Sequence, residues 1–159
     1  MEQKKQLEIL TYQLEELRIE RNGAFDRDAG PVEVSVDFDL FANENVPNQF
    51  AVGLIVQTCA PGESDTSCPL KFLLRMVGVF ATAEPLPDGQ IPFQHAVNGL
   101  MILYGIARGA WGTASAWFGG SVVVLPTVYF TDRLRIKLGI PATEQKAVEA
   151  SELAITAAD

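Results

Sequence analysis

The stretch between Asp88 and Asp132 contains a single formal charge, Arg108, although the chain as a whole is acidic. An apolar stretch of this length has to be removed from water. Three environments meet that need: a lipid bilayer, the protein's own core together with an oligomer interface, or a surface that binds apolar partners. The choice among them largely determines the function, because no other part of the sequence resembles an active site.

The composition is that of one acidic domain. The 159 residues carry a net charge of −8, and 48% of them are hydrophobic. Nucleic-acid binding needs a basic surface, so the charge argues against nucleic acid and favours a basic partner. The first ten residues have scattered charges and no apolar core, unlike a signal peptide, so we expect a cytoplasmic protein. We predict an N-terminal tail (residues 1–11), a domain (12–140) and a tail rich in alanine and glutamate (141–159).

Three consecutive segments alternate apolar and polar residues. In VEVSVDFDLF, the apolar residues from Val32 to Leu40 alternate with acidic residues and a serine. The turn ANENVPN leads to FAVGLIVQT, and a loop between two cysteines leads to LKFLLRMVGVFAT. A period of two with one charged face is typical of antiparallel strands that have one face on a core and the other in water. The short connections predict a meander.

The N-terminal segment fits two structures. Leu7, Leu10, Leu14 and Leu17 recur at helical spacing, which slightly favours a helix. Residues 12–21 also fit a strand with an irregularity at Glu15-Glu16.

After Pro92 the apolar period becomes helical. The stripe consists of Phe93, Val97, Leu100, Tyr104, Ala107, Trp111, Ala114 and Phe118. It predicts a long helix that begins after Pro92 and ends at Gly119-Gly120. A second face carries Gly105, Gly109, Gly112 and Ala116. Each glycine costs a helix about 1 kcal/mol relative to alanine, so this face predicts close packing of another backbone, as at an oligomer interface.

The sequence beyond this helix predicts an extended segment, VVVLPTVYF, and a short amphipathic helix, TDRLRIKLG. Residues 109–130 are uncharged and approach the roughly 20 residues that a membrane span needs. However, Gly119-Gly120 and Pro126 interrupt this window, and Arg108 within a longer one would cost about 2.5–3.5 kcal/mol. We therefore expect no membrane span.

The residues predict no enzyme, no cofactor and no metal site. His95 is the only histidine, and we expect it at the surface in the first turn of the long helix. A Ser–His or Cys–His pair is impossible without it. No glycine-rich phosphate loop precedes a helix, and a tetrahedral metal site would need ligands from another subunit. Cys59 and Cys68 flank a loop that they are placed to bridge, but the absence of a secretory signal favours two free thiols.

Two short patterns lie in the charge-poor stretch. The first comprises Ile102, Leu103, Tyr104, Ala107 and Arg108, and the second comprises Leu125, Val128 and Phe130. They resemble the I-L-[FY]-P-Y-x-R and L-x-P-[VI]-x-F patterns of the SecB-type export chaperones, and the similarity in order and length of segments extends over residues 12–138. Gly105 replaces the first pattern's proline, Trp117-Phe118-Gly119 replaces an S-x-G, and Pro126 comes one position early. The resemblance supports a SecB-like fold better than a housekeeping role in export.

This resemblance implies an α+β fold in which the first segment is a strand. A four-stranded antiparallel sheet would then be covered by a long helix and a shorter C-terminal helix. Family members are homotetramers, built as dimers of dimers with the long helices at the interface, and they bind unfolded polypeptide in apolar grooves without nucleotide. Some bind the SecA motor through an acidic pair on the first strand, which matches Glu16 and Glu20 here. Divergent members are dedicated chaperones for an antitoxin or another single client.

The sequence therefore predicts an ATP-independent holding chaperone for unfolded or export-bound polypeptides. The candidate client-binding residues, each of which also fits ordinary core or interface packing, are Phe25, Phe41, Val124, Leu125, Tyr129 and Phe130. Tyr129 and Phe130 are adjacent in an extended segment, so they point to opposite sides; the pattern match at Phe130 favours packing there and client contact at Tyr129. The alternatives are a dedicated chaperone or regulatory oligomer of a toxin–antitoxin or phage system, and a non-enzymatic protein that binds a small ligand.

Overall fold

The described residues of this α+β protein form four strands and two α-helices. A computed structural model describes residues 7–24, 26, 28, 34–58, 68, 70–117 and 125–140. The strands are β1 (Leu7–Arg21), β2 (Val34–Ala42), β3 (Gln49–Thr58) and β4 (Leu70–Thr82), which form one antiparallel sheet in the order β1-β4-β3-β2. A 3-10 turn (Pro87–Gly89) precedes α1 (Phe93–Trp117), and α2 (Phe130–Leu138) follows. The predicted fold class is confirmed.

The predicted meander is present as β2, β3 and β4. Strands β2 and β3 pair without a break from Val34↔Thr58 to Ala42↔Phe50. Their connection is closed by the Asn43 backbone N–H, which donates to the Gln49 carbonyl at 3.0 Å, while the Asn43 side chain accepts from the Asn45 N–H at 3.0 Å. Asparagine favours turns because its side chain bonds to the backbone two residues on.

The N-terminal segment is a strand, so the helix that its leucine spacing slightly favoured is wrong. Strand β1 pairs with β4 from Leu7↔Thr82 to Arg21↔Leu70, with register shifts between Ile9 and Thr11 and between Leu14 and Glu16. Each extra residue lengthens the spacing of same-face residues from two to three, and this imitates a helical period. The strand implied by the resemblance and the irregularity at Glu15-Glu16 are both confirmed. Strand β1 begins inside the segment that the sequence assigns to an N-terminal tail.

Helix α1 packs on β3 and β4 and completes the core. It begins after Pro92 as predicted, with the Ala96 N–H donating to the Pro92 carbonyl at 3.0 Å. The Trp111 ring meets the Phe72 ring edge to face, with centroids 4.8 Å apart. A Cβ on Gly78 would lie 2.7 Å from Leu103 Cδ2, so a larger residue there would force the Leu103 side chain to shift. Seven of the eight predicted stripe residues lie in α1, and Phe118 lies outside the described residues.

The chain divides into two compact units, Met1–Thr127 and Val128–Asp159. The first contains the sheet and α1, and within it the Tyr104 hydroxyl donates to the Pro126 carbonyl at 2.7 Å. The second contains α2, the short helix that the sequence predicted. Gly139 ends α2 in the left-handed conformation, at φ 67°, as glycine commonly does at a helix C-terminus. Residues 119–120 and 141–159 lie outside the described residues.

Candidate functional site

The two faces of the sheet have different surroundings. The helix face is the one on which α1 packs, with Phe72 against Trp111 and Gly78 against Leu103. The outer face is the opposite one, formed by the alternate residues of each strand, because successive side chains of a strand point to opposite faces. On β3 and β4 the helix-face positions are buried throughout, whereas the outer-face positions are half-buried or exposed.

Part of the helix face is only half covered by the described residues. On β1, Tyr12, Leu14 and Leu17 lie opposite Gly78, Met76 and Leu74 of β4, which places them on the helix face. Their β4 neighbours are buried, yet these three side chains are 54%, 47% and 45% exposed. We call Tyr12, Leu14 and Leu17 the β1 strip. Three adjacent apolar side chains at an open position make the β1 strip a candidate binding surface.

A second open surface lies on α1. Among the described atoms, none lies within 4 Å of a Cβ built on Gly105, Gly109 or Gly112, and Ala116 on the same face is exposed. We call these four residues the glycine face. Met101 and Ile102, one turn earlier, are exposed as well, and Trp117 at the end of α1 is 82% exposed. The close packing that the glycines predict does not occur within the described part of the subunit, so their role in an oligomer interface stays a prediction.

The predicted acidic pair lies on the outer face of β1. Glu16 pairs in register with Arg75, and Glu20 pairs with Lys71. The Arg18 guanidinium also donates to the Glu16 carboxylate at 3.0 Å. Both carboxylates therefore have cations as neighbours on the same face. Their role in binding a SecA-like partner stays a prediction.

The predicted client-binding residues fall into three groups: exposed, buried, and outside the described residues. Phe41 at the end of β2 and Tyr129 before α2 are 57% and 75% exposed. Leu125 and Phe130 are buried, so neither side chain is accessible to a client in this conformation. Phe25 and Val124 lie outside the described residues. Phe130 is inside and Tyr129 outside, although Phe130 begins α2 rather than continuing the extended segment that the sequence predicted.

His95 and Cys68, whose side chains could act in catalysis or bind a metal, are both buried. His95 is buried in the first turn of α1, so its expected surface position is wrong; Ala96 and Val97 beside it are buried too. Cys68 is a buried free thiol that donates to the Leu70 carbonyl at 2.6 Å, and Cys59 lies outside the described residues. Among the residues that the structure describes, no three His, Cys, Asp or Glu side chains cluster to hold a metal ion.

An open cleft of about 620 Å³ lies at one end of the sheet. It is lined by Leu7, Glu8, Ile9, Asn48, Ala81, Thr82 and Ala83. The Asn48 amide donates to the Thr82 carbonyl at 3.1 Å, and the Thr82 hydroxyl donates to the Glu84 carbonyl at 2.6 Å. Both side chains therefore bond to the backbone at this corner of the sheet. Within the described part of the chain, no helix has the length and apolar character that crossing a membrane requires.

The β1 strip and the apolar middle of the outer face are the two features that sequence reasoning missed. The β1 strip was obscured by the two bulges, which gave its residues a helical spacing. The outer face was indicated by Ile55, Leu73, Val77 and Val79, which occupy strand positions where a solvent-facing sheet normally carries polar residues.

Comparison with known proteins finds likeness in structure alone. No protein-family model matches the sequence, and no curated protein is significantly similar to it. A SecB-like chaperone of Mycobacterium tuberculosis, Rv1957, solved in complex with a ChAD peptide from the HigA1 antitoxin, matches with a TM-score of 0.55 and 12% identity, over 77% of this chain and 91% of that one. A Streptococcus agalactiae protein of unknown function matches with a TM-score of 0.44 and 11% identity, over 78% and 99%. The order and pairing of the strands, the long helix and the match to Rv1957 together show that this chain has the SecB-like fold.

Proposed function

We propose that this protein is an ATP-independent chaperone that holds unfolded or export-bound polypeptides and works in the cytoplasm as a homotetramer, a dimer of dimers. The observation that carries the proposal is the amount of apolar surface that the subunit leaves open. The β1 strip and the glycine face flanked by Met101 and Ile102 are both accessible. A soluble monomer rarely exposes apolar surface in such contiguous patches, so other polypeptide chains are the expected occupants.

The tetramer accounts for the glycine face and the β1 strip. Glycines on a helix surface permit close approach of a second helix, which compensates for their cost of about 1 kcal/mol each. The β1 strip continues the buried helix face of β4, so a copy that covers it would extend the core that α1 already makes. Closed symmetry is the usual result of such self-complementary surfaces.

Client holding accounts for the exposed aromatic residues. Phe41 and Tyr129 lie in different units of the chain, and each presents an aromatic ring to solvent. A disordered client loses entropy when it is ordered, so loose binding through many weak apolar contacts is expected. Such contacts tolerate several registers and need no nucleotide.

A dedicated chaperone for one client is the second candidate. It is favoured by the match to Rv1957, because that SecB-like chaperone was solved with a peptide from an antitoxin. The same open surfaces would serve a single antitoxin segment. The resemblance also implies that a SecA-like motor binds through Glu16 and Glu20. Such binding would belong to a general export role rather than to a dedicated one.

Light scattering tests the proposal. Several unrelated denatured proteins are diluted, without ATP, into increasing amounts of this protein, with an unrelated acidic protein of similar mass as the control. We expect scattering to fall and to reach its minimum near four subunits per client. Suppression for one client family alone would establish the dedicated function. Undiminished scattering of every substrate at molar excess would contradict holding.

A further inference from the structure

Helix α1 is held to the sheet by large side chains as far as Trp111 and by small ones beyond it. The Trp111 indole lies edge to face on Phe72 and is the last large buried side chain of the helix. After it, the buried residues of α1 are Ala114 and Ser115. We call residues 112–117 the terminal segment. Because burial stabilises in proportion to the apolar area removed from water, this segment adds little to the attachment of α1.

The terminal segment is also a weak helix by itself. It begins with Gly112, and glycine is the least favourable residue in a helix interior apart from proline. The Thr113 hydroxyl donates to the Gly109 carbonyl at 3.0 Å, and the Ser115 hydroxyl donates to the Gly112 carbonyl at 3.0 Å. Hydroxyls that bond to the preceding turn compete with the helix's own amide bonds and slightly destabilise it. The last turn of α1 also contains no basic residue to stabilise the helix C-terminus.

The part of α1 that precedes the terminal segment is firmly held. Leu103 is fully buried, and the Tyr104 hydroxyl donates to the Pro126 carbonyl at 2.7 Å. The boundary between the two parts falls at Trp111-Gly112, where an anchored side chain is followed at once by the residue with the freest backbone. A Cβ on Gly112 would meet no described atom within 4 Å, so packing within the described subunit does not require a glycine there.

We propose that the terminal segment opens as one unit, leaving the sheet and losing its helical structure while the rest of α1 stays packed, with Gly112 as the hinge. Local opening of this kind costs less free energy than global unfolding, because it exposes little buried surface. Ala116 belongs to the glycine face only while the segment is helical. Opening therefore shortens that face and moves the exposed Trp117 ring away from its end. The inference goes beyond the proposed function, because it requires neither a client nor a second copy of the chain.

Hydrogen exchange measured by mass spectrometry at residue resolution tests the proposal on the full-length protein. Exchange is followed at one low subunit concentration, in increasing urea below the unfolding transition. Gly112→Ala strengthens the helix at the hinge, and Thr113→Ala removes a competing hydroxyl. Gly105→Ala is the matched control, because its Cβ also meets no described atom within 4 Å but lies in the held part of α1.

We expect the amides of residues 113–117 to share one opening step and to exchange at least about a hundredfold faster than those of Leu103 and Tyr104. Their rates should barely depend on urea, because the slope follows the surface exposed. Gly112→Ala should slow their exchange about fivefold and Thr113→Ala about threefold, whereas Gly105→Ala should leave it within about twofold of wild type.

Three results would overturn the inference. Protection that falls residue by residue toward Trp117 would mean ordinary fraying of the helix end rather than a hinged unit. Exchange of the segment with the same urea dependence as Leu103 would mean that it opens only in global unfolding. Equal slowing by Gly112→Ala and Gly105→Ala, or no slowing by Gly112→Ala, would remove Gly112 as the hinge.

Discussion

On the helix face of the sheet, β3 and β4 are buried while β1 is half open, although all three strands carry apolar residues there. Phe50, Val52 and Phe72 are buried, whereas Tyr12 and Leu14 are about half exposed. The difference arises from the position of α1, which packs chiefly on β3 and β4. An apolar strand becomes core only where another element covers it, and burial contributes roughly 25 cal/mol per Å² of apolar surface. Among the described residues, no element covers the β1 strip as α1 covers β3 and β4.

The largest expected loss of stability comes from truncating a side chain that α1 packs against the sheet. Trp111→Ala should lower the free energy of unfolding by about 3–5 kcal/mol, because the indole is fully buried and packs edge to face on Phe72. Leu14→Ala on the β1 strip should cost less. Urea unfolding at one fixed subunit concentration measures both, since assembly makes stability depend on concentration. An equal loss in the two variants would mean that the covered and open regions do not differ as described.

The adjacent residues Tyr129 and Phe130 show the same contrast between an exposed and a buried side chain, here in the unit that contains α2. Phe130→Ser should destabilise the protein by about 3–5 kcal/mol, because its ring is buried. Tyr129→Ser should change stability by less than about 0.5 kcal/mol and yet weaken client holding. Thermal unfolding and light scattering of both variants provide the test. Full holding by a stable Tyr129→Ser protein would remove Tyr129 from the client surface.

Substitutions at two glycines distinguish packing inside the subunit from packing between subunits. Gly78→Ala should cost about 1–3 kcal/mol, because its Cβ would lie 2.7 Å from Leu103 Cδ2. Gly109→Ala meets no described atom within 4 Å and should gain helix propensity worth about 1 kcal/mol in an isolated subunit. In a tetramer packed through the glycine face, the same change should weaken assembly, and Gly109→Leu should weaken it further.

Sedimentation velocity across a range of concentrations separates these effects. If Gly109→Leu left the assembly state unchanged, the glycine face would not be an interface. Gly78→Ala is the control that lowers stability without touching that face.

The smallest effect is expected on the outer side of β1. Arg18 pairs with Glu16 at 3.0 Å, but both side chains are partly exposed, so Arg18→Gln should change the free energy of unfolding by no more than about 1 kcal/mol. Urea unfolding in low and high salt gives the value. A loss comparable to that of Trp111→Ala would show that β1 depends on its charges rather than on a cover.

Regular alternation made much of this fold predictable from the sequence. The strands from Val34 to Thr82 alternate without a break, and α1 keeps one apolar stripe from Phe93 to Ala114, so each element matched its pattern. Strand β1 could not be recognised from its spacing, because two bulges shift its register.

The candidate site was less predictable because exposure depends on tertiary placement. Leu125 is a candidate client-binding residue by its sequence alone, and the fold buries it. Likewise, the cations opposite Glu16 and Glu20 come from β4, far away in the chain, so only the strand register brings them together.

Native mass spectrometry of the protein mixed with an unfolded client, without nucleotide, tests the central claim most directly: that the surfaces left open by one subunit are occupied by other chains. We predict an assembly of four 17.3 kDa subunits and a second species in which that tetramer carries one client. A 17.3 kDa monomer without bound client throughout the micromolar range would contradict the account.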